Sequence, residues 1–457
     1  MTIRVNKSKE MRAVLCGLQT KDISDLEFQS SMDELQRLVK TLGFVTVGQV
    51  TQKRPYPTPA CIFGKGKLKE LASWTGGPGE IQGFSQSTAP DDETIELSEP
   101  LSHIPLNDDD EEHIGKQANI VIIDHELTPT QLTNLEEACG VEVLDRTGVI
   151  LEIFSRHAKS REARLQVEIA KLAYMAPRLR ASHVGSDRQG GGIGSKGAGE
   201  SAHELDRRRI RDRIAELKQQ LESIRKEQLN RRSHRDEVPL VALIGYTNAG
   251  KSSLMRQLTA TEIQGENKLF ATLDTTIRVL QPETTPKILV SDTVGFIKKL
   301  PHDLVASFRS TLDEALAASL LLYTVDGSDP NFRSQLEVTR EVMAEIGALE
   351  NDQQLIINKV DLLDDDYIYE LRKEFPEAIF ISAHESCDVD RVRRLILDHF
   401  ERGMIDEEVL IPFSEGHLLG KIRSRARVIS ESYDEFGTTL MVRAEEDVQS
   451  WIKGLLN

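Results

Sequence analysis

Apolar and polar positions change period several times along this chain, and the changes mark its elements. Residues 13–18 form a short continuous apolar run, the pattern of a buried strand. From 22 to 42 the spacing turns helical, with Leu26, Leu35, Leu38, Val39 and Leu42 expected on one side. Residues 44–50 and 60–63 return to a strand pattern, and Gly64, Lys65, Gly66 and Lys67 open a short helix. Beyond 118 come an apolar strand at 119–124, a helix at 128–138 and a strand at 141–144. This alternation predicts an N-terminal α/β domain over residues 1–150.

A different period follows. Leu165, Ile169, Leu172, Ala176 and Leu179 step by 4, 3, 4 and 3, as do Ile210, Ile214, Leu217, Leu221 and Ile224. A period of 3.5 is the seam of a coiled coil. The stripes are short, which favours an antiparallel helical hairpin within one chain, over 151–236, and a monomer. Six glycines between 190 and 199 join the helices, too many to hold one shape unaided. Residues 237–402 alternate strand and helix again. Residues 403–457 predict a strand (409–412), a helix (416–425), two strands (426–431, 438–443) and a helix (446–456), a small α+β domain.

Length and composition narrow the class. At 457 residues, about three domains are expected. No window approaches ~18 uninterrupted apolar residues, so no transmembrane span is expected. The first residues, Met1 to Lys7, lack the apolar core of a signal peptide. Cys16, Cys61, Cys139 and Cys387 lie far apart with no metal spacing. They fit isolated thiols of a reducing compartment, so cytoplasm is the expected location. The net charge of −17 argues against general nucleic-acid affinity. That charge is segregated, however. Residues 156–235 hold 20 Lys+Arg against 10 Asp+Glu, while 76–118 hold 11 acidic residues and one lysine. The acidic stretch, ending in Asp108, Asp109, Asp110, Glu111 and Glu112, predicts a disordered insertion. The basic stretch carries Arg207, Arg208, Arg209, Arg211 and Arg213, a cluster able to neutralise RNA phosphates; a solvated helix with internal ion pairs is the other reading.

Chemistry concentrates after residue 240. The apolar run 241–244 leads directly into Gly245, Tyr246, Thr247, Asn248, Ala249, Gly250, Lys251 and Ser252, which fit GxxxxGK[ST] between a strand and a helix start. Such a loop rings phosphates with backbone N–H groups, and the helix N-terminus adds partial positive charge. Lys251 would reach the β and γ phosphates and Ser252 would ligate Mg2+. Base choice falls to Asn358, Lys359, Val360 and Asp361. A carboxylate accepts only, and guanine presents two adjacent donors, so Asp361 would select guanine. Lys359 would cover the base face and Asn358 would tie this loop to the phosphate loop. Ser382, Ala383 and His384 follow another strand, where backbone N–H groups would meet the guanine O6.

Between these lie two switch candidates. Asp292, Thr293, Val294 and Gly295 follow a strand; Asp292 would reach Mg2+ through water, and the Gly295 N–H would sense the γ-phosphate. Phe270, Ala271, Thr272, Leu273 and Asp274 occupy the first switch position. Thr272 is the chosen Mg2+ ligand, with Thr275 and Thr276 as rivals. Phe296 stands where many GTPases carry a glutamine that orients the attacking water. A phenyl ring cannot do so, which implies slow hydrolysis alone and stimulation by a partner.

With these residues in place, the chain resembles the HflX-type GTPases over nearly its whole length. The residues outside the shared GTPase motifs are Phe63 to Lys67, Asp145 to Phe154, Gly191 to Gly194 and Leu300 to Val305, and the family too carries phenylalanine at the position of Phe296. The resemblance implies a P-loop GTPase that binds the large (50S) ribosomal subunit and its rRNA and splits or rescues stalled ribosomes. It further implies that the N-terminal domain and hairpin approach the peptidyl-transferase region. Where the family has GGIGxRGPGE, this chain has lysine at 196 and alanine at 198. Lysine keeps the charge but loses the forked donor of arginine. The alternative is a nucleotide-gated RNA-binding remodeller, or a scaffold working through the acidic insert, whose hydrolysis is incidental.

Overall fold

The computed structural model describes residues 10–81, 117–178, 202–232, 238–260, 270, 276–284, 287–293, 295–297, 315–348 and 351–456. Most of the acidic segment, the glycine-rich loop, residues 271–275, Val294 and residues 300–305 lie outside these. The chain divides into two units, Met1–Arg156 with Arg164–Gln220, and His157–Ala163 with Leu221–Asn457.

The first unit is built on a four-stranded parallel sheet in the order β2-β1-β3-β4, with β1 Arg12–Gln19, β2 Val45–Lys53, β3 Ile120–Ile123 and β4 Glu142–Asp145. The near-continuous burial of β1 and β3 is what a parallel sheet covered on both faces demands. Helix α1 (Asp25–Thr41) starts at a capping box: the Glu27 N–H donates to Ser24 Oγ while the Ser24 N–H donates to Glu27. Its buried side is Phe28, Met32, Leu35, Leu38 and Val39. Leu26, expected on that side, is 81% exposed, because two residues before Phe28 points it to the far side of the helix. Helix α2 spans Lys65–Thr75 and α3 spans Pro129–Cys139.

Residues 60–63 are not the expected strand. Cys61, Ile62 and Phe63 are buried in the core, but their segment is held by side chains rather than a ladder. Gln131 Nε2 donates to the Thr58 carbonyl (2.7 Å) and Asn134 Nδ2 to that of Ala60 (2.8 Å). Helix α4 (Arg146–His157) runs across the limit expected at residue 150. Every residue from Arg146 to Phe154 is buried, so it shows no amphipathic period to find. Helices α5 (Arg161–Met175) and α6 (Ala202–Arg232) follow. Leu165, Ile169, Leu217 and Leu221 are buried, and Arg213 bridges from α6 to Glu168 on α5 (2.9 Å). Part of the arginine cluster is therefore neutralised: Arg213 also pairs with Glu216, and Arg209 with Asp206. Arg211 is exposed.

The second unit holds a six-stranded sheet in the order β10-β9-β8-β5-β7-β6. Its strands are β5 Leu240–Ile244, β6 Thr276–Val279, β7 Leu289–Asp292, β8 Leu320–Asp326, β9 Asp352–Asn358 and β10 Ile379–Phe380. All pairs are parallel except the edge pair β6 with β7. The helices are α7 Lys251–Thr259, α8 Phe332–Ile346, α9 Asp365–Glu374 and α10 Ser386–Glu401. A parallel sheet of this kind presents its ligand site at the carboxyl ends of its strands.

A three-stranded antiparallel sheet follows, β11 (Ile405–Pro412), β13 (Gly437–Ala444) and β12 (Arg427–Tyr433) in that order, with α11 His417–Arg425 and α12 Glu446–Leu456. Val409, Ile411, Leu418, Ile422, Leu440, Val442 and Ile452 form its core. Arg427 and Arg443 both pair with Glu401 at the end of α10. The architecture is thus α/β with a small α+β element at its C-terminal end. Of the four cysteines, Cys16, Cys61 and Cys139 are buried and Cys387 is exposed. Burial pushes the buried thiols up, that of Cys139 to about 12.

Candidate guanine-nucleotide site

The phosphate loop leaves the carboxyl end of β5. Gly245 is required there by a close approach: a Cβ would collide with the Thr324 carbonyl of the neighbouring strand. Asn248 (φ 64°) and Gly250 (φ 95°) give the loop two left-handed residues, and a Cβ at Gly250 would strike Asn358 Nδ2. Helix α7 then begins at Lys251, so the N–H groups of its first turn have no partner within the helix and face the loop's end.

Lys251 is buried. Its ammonium donates to the carbonyls of Gly245 (2.9 Å) and Tyr246 (2.7 Å), which hold it over the loop. Burial lowers its pKa to about 8, and the carboxylate of Asp292 partly opposes that. Ser252 Oγ donates to Asp292 Oδ2 (2.6 Å). Hydroxyl and carboxylate oxygens, side by side at the phosphate loop, are the hard donors that Mg2+ takes. Among the described residues no group of three or more His, Cys, Asp or Glu that could hold a metal is present. The Thr293 hydroxyl donates to the Leu243 carbonyl (2.8 Å) and is fully buried.

The segment after β7 lies on the phosphate loop. Phe296 pairs with Tyr246 as an isolated parallel bridge: the Phe296 N–H donates to Gly245 O (3.2 Å), and its carbonyl accepts from the Thr247 N–H (2.8 Å). Gly295 is packed so closely that a Cβ would stand 2.9 Å from Thr247 Cα and 3.0 Å from Lys251 Nζ. Phe270 is buried with a left-handed φ of 57°, whereas Ala271, Thr272, Leu273, Asp274 and Val294 lie outside the described residues. Thr276, one of the rivals of Thr272, is the first residue of edge strand β6.

The base-reading loop leaves β9. Asn358 is buried and works in two directions: its Nδ2 donates to Ala249 O (2.8 Å), and its Oδ1 accepts from the Ala383 N–H (3.0 Å). One amide therefore joins all three loops. Lys359 adopts a left-handed conformation and starts a 3₁₀ turn, Val360–Leu362, that carries Asp361 exposed. The Val360 N–H donates to Ile381 O (3.2 Å). Ser382 and Ala383 sit after β10 as expected, but their N–H groups have acceptors within the protein, Asp388 (2.8 Å) and Asn358. The His384 N–H makes only a long contact to Ser382 Oγ (3.4 Å). Two side chains escaped the sequence analysis. Asp388 buttresses the loop at Ser382. Asp326, at the carboxyl end of β8, pairs with Lys359 (2.5 Å); its position at a parallel strand's end was the available signal.

Three family models match the chain. One described as the GTP-binding GTPase N-terminal region covers 29–78 and 109–155; the GTP-binding GTPase middle region covers 157–235; and a 50S ribosome-binding GTPase model covers 240–359. The GTPase HflX of Gluconacetobacter diazotrophicus is 53% identical over 94% of this chain and 95% of its own length. The GTPase HflX of Spirochaeta thermophila is 42% identical over 96% and 97%, and that of Escherichia coli 33% over 93% and 91%. A relative matched nearly end to end at that identity, with the phosphate loop, Asp292 and the base-reading loop at the carboxyl ends of strands of one sheet, places this GTP hydrolase in the HflX GTPase family.

Proposed function

We propose that the chain, loaded with GTP and Mg2+, binds the large (50S) ribosomal subunit and couples nucleotide binding and hydrolysis to splitting or rescue of stalled ribosomes. The observation that carries this is Phe296. The residue that would orient the attacking water has a buried apolar ring, and its backbone is bonded to the phosphate loop on both sides. Hydrolysis then waits for a partner that supplies or rearranges a polar group. The match to a model described as a 50S ribosome-binding GTPase supports the subunit as that partner.

In this reading Lys251 neutralises the β and γ phosphates, Ser252 and Thr272 ligate Mg2+, and Asp292 reaches the ion through water. Gly295 answers to the γ-phosphate. Asn358, Lys359 and Asp361 hold and select guanine beside Ser382, Ala383 and His384. The working parts are 1–150, 151–236, 237–402 and 403–457, the protein acts as a monomer in the cytoplasm, and no described helix is long and apolar enough to cross a membrane. Purified 50S subunits should raise the GTPase rate at least about tenfold over the free protein; no stimulation sinks the proposal. The second reading, an RNA remodeller, draws on the exposed arginines of α6. It predicts tighter binding to naked structured RNA than to assembled subunits.

A further inference from the structure

Lys359 poses a question that its own loop does not answer. It is a residue with a Cβ held at φ 63°, ψ 36°, a conformation that L side chains adopt rarely. Its stem is long and would sample many rotamers if left alone. Something outside the loop must hold both backbone and side chain. The candidates come from β8, the parallel neighbour of β9, in which Asp326 stands opposite Asn358.

We infer that Asp326 is a positioning residue for guanine-nucleotide binding, acting through Lys359. Asp326 Oδ2 lies 2.5 Å from Lys359 Nζ, and the two side chains are only 14% and 24% exposed. The carboxylate is itself fixed. Its Oδ1 accepts from the Ser328 N–H (3.0 Å) and from Ser328 Oγ (2.6 Å), so one oxygen is tied to the turn and the other to the lysine. The backbone repeats the link, since the Gly327 N–H donates to Asn358 O (2.9 Å). Gly327 is pressed against β9, where a Cβ would stand 2.8 Å from Ile357 Cγ2. The ends of β8 and β9 are thus joined by an ion pair and a backbone bond at consecutive residues. The pair sets the lysine stem before any base arrives, so binding does not have to order it. Among the described residues the Asp326 carboxylate bonds only Ser328 and Lys359, so its effect on the nucleotide passes through Lys359.

The inference rests on residues 358–361 being the base-reading loop. It is tested on the full chain by titrating fluorescent GDP and a non-hydrolysable GTP analogue, with kcat and KM for GTP alongside. Asp326→Ala should weaken both nucleotides alike, by about tenfold to a hundredfold, as loss of a charge-assisted partner does. KM should rise with kcat held within about twofold, the mark of an interaction made equally in ground and transition states. Asp326→Asn should recover part of the affinity, and it carries the test if the alanine variant does not fold. Lys359→Met should lose affinity, and the double variant Asp326→Ala/Lys359→Met should lose no more than Lys359→Met alone. Unchanged affinity, additive losses, or a lower melting temperature without any change in affinity overturns the inference. Asp361→Asn, run in parallel, separates the two levels. If it changes base preference while the Asp326 variants bind normally, only the inference fails; if it leaves base preference unaltered, the base-reading assignment fails.

Discussion

The molecule contains two sheets built mainly of parallel strands whose ends carry charged side chains, and the two differ in how much of that charge is spent internally. In the first unit, Arg146 bonds Asp124 (2.6 Å) and Glu34, while Asp145 receives Arg178 (2.6 Å), the Tyr174 hydroxyl (2.6 Å) and the Gly148 N–H (2.8 Å). Burial and the neighbouring Asp145 push the Tyr174 phenol far up, so it remains a donor. These carboxylates and guanidiniums face one another, and all but the half-buried Arg178 are buried. At the second sheet Lys359 pairs with Asp326 and Ser252 with Asp292, but Lys251 leans on backbone carbonyls and Asn358 on a backbone amide and carbonyl, while Asp361 stands exposed. The comparison teaches where a site differs from a scaffold. A strand end becomes a site when the main chain and a few side-chain pairs orient its polar groups and still leave one, here Asp361, facing outward.

Substitutions can break this contrast, beginning with the largest effect. Lys251→Ala should reduce GTP turnover by at least about a hundredfold and weaken nucleotide binding, because nothing replaces the ammonium at the phosphates; turnover assays and GDP titration measure both. The same loss of a cation in the first unit should act otherwise. Arg146→Met leaves Asp124 and Glu34 buried without their guanidinium and should cost about 3–5 kcal/mol of stability, seen in denaturant unfolding. Nucleotide affinity of the folded Arg146 variant should stay unchanged; a fall would mean that the first sheet serves the nucleotide after all. Asp361→Asn should weaken GTP by at least about tenfold and favour a xanthine nucleotide, whose C2 carbonyl accepts from the amide. Retained GTP preference in a competition titration would remove Asp361 as the reader.

The smallest effect concerns pH. Burial lowers the His399 pKa below the ordinary histidine value, against the pull of Asp352. The unfolded chain therefore takes up this proton at a higher pH than the folded one. Stability from this group is fully present above the unfolded pKa and declines as pH falls through the mildly acidic range. His399→Phe should flatten that decline in thermal melts; an unaltered profile would assign it to other groups.

Much of this arrangement was legible in the sequence, for physical reasons. The phosphate loop and the base-reading loop each combine an apolar strand with a turn of fixed chemistry, and such local patterns survive whatever the tertiary fold does. Helix α12 has the limits its periodicity predicts. The failures share a cause in tertiary context. Residues 60–63 have strand composition, yet the Ala60 carbonyl and the Cys61 N–H find side-chain partners, and α4 is buried all round from Arg146 to Phe154, which erases its period. Leu26 is the exception, since it lies half a turn out of phase with Leu35 and its exposure follows from helix geometry alone. Asp326 lies 33 residues from Lys359, and no local pattern announces an ion pair across two strands.

One exposed thiol has a practical consequence. Cys387 is the second residue of α10, beside the segment that carries His384, while the other three cysteines are buried and their thiols pushed up. Alkylation needs access and thiolate character, and only Cys387 has the access. A maleimide dye should therefore enter the native chain at a single position, three residues after His384, with no cysteine to remove first. The protein comes with its own attachment point for watching nucleotides arrive and leave in real time.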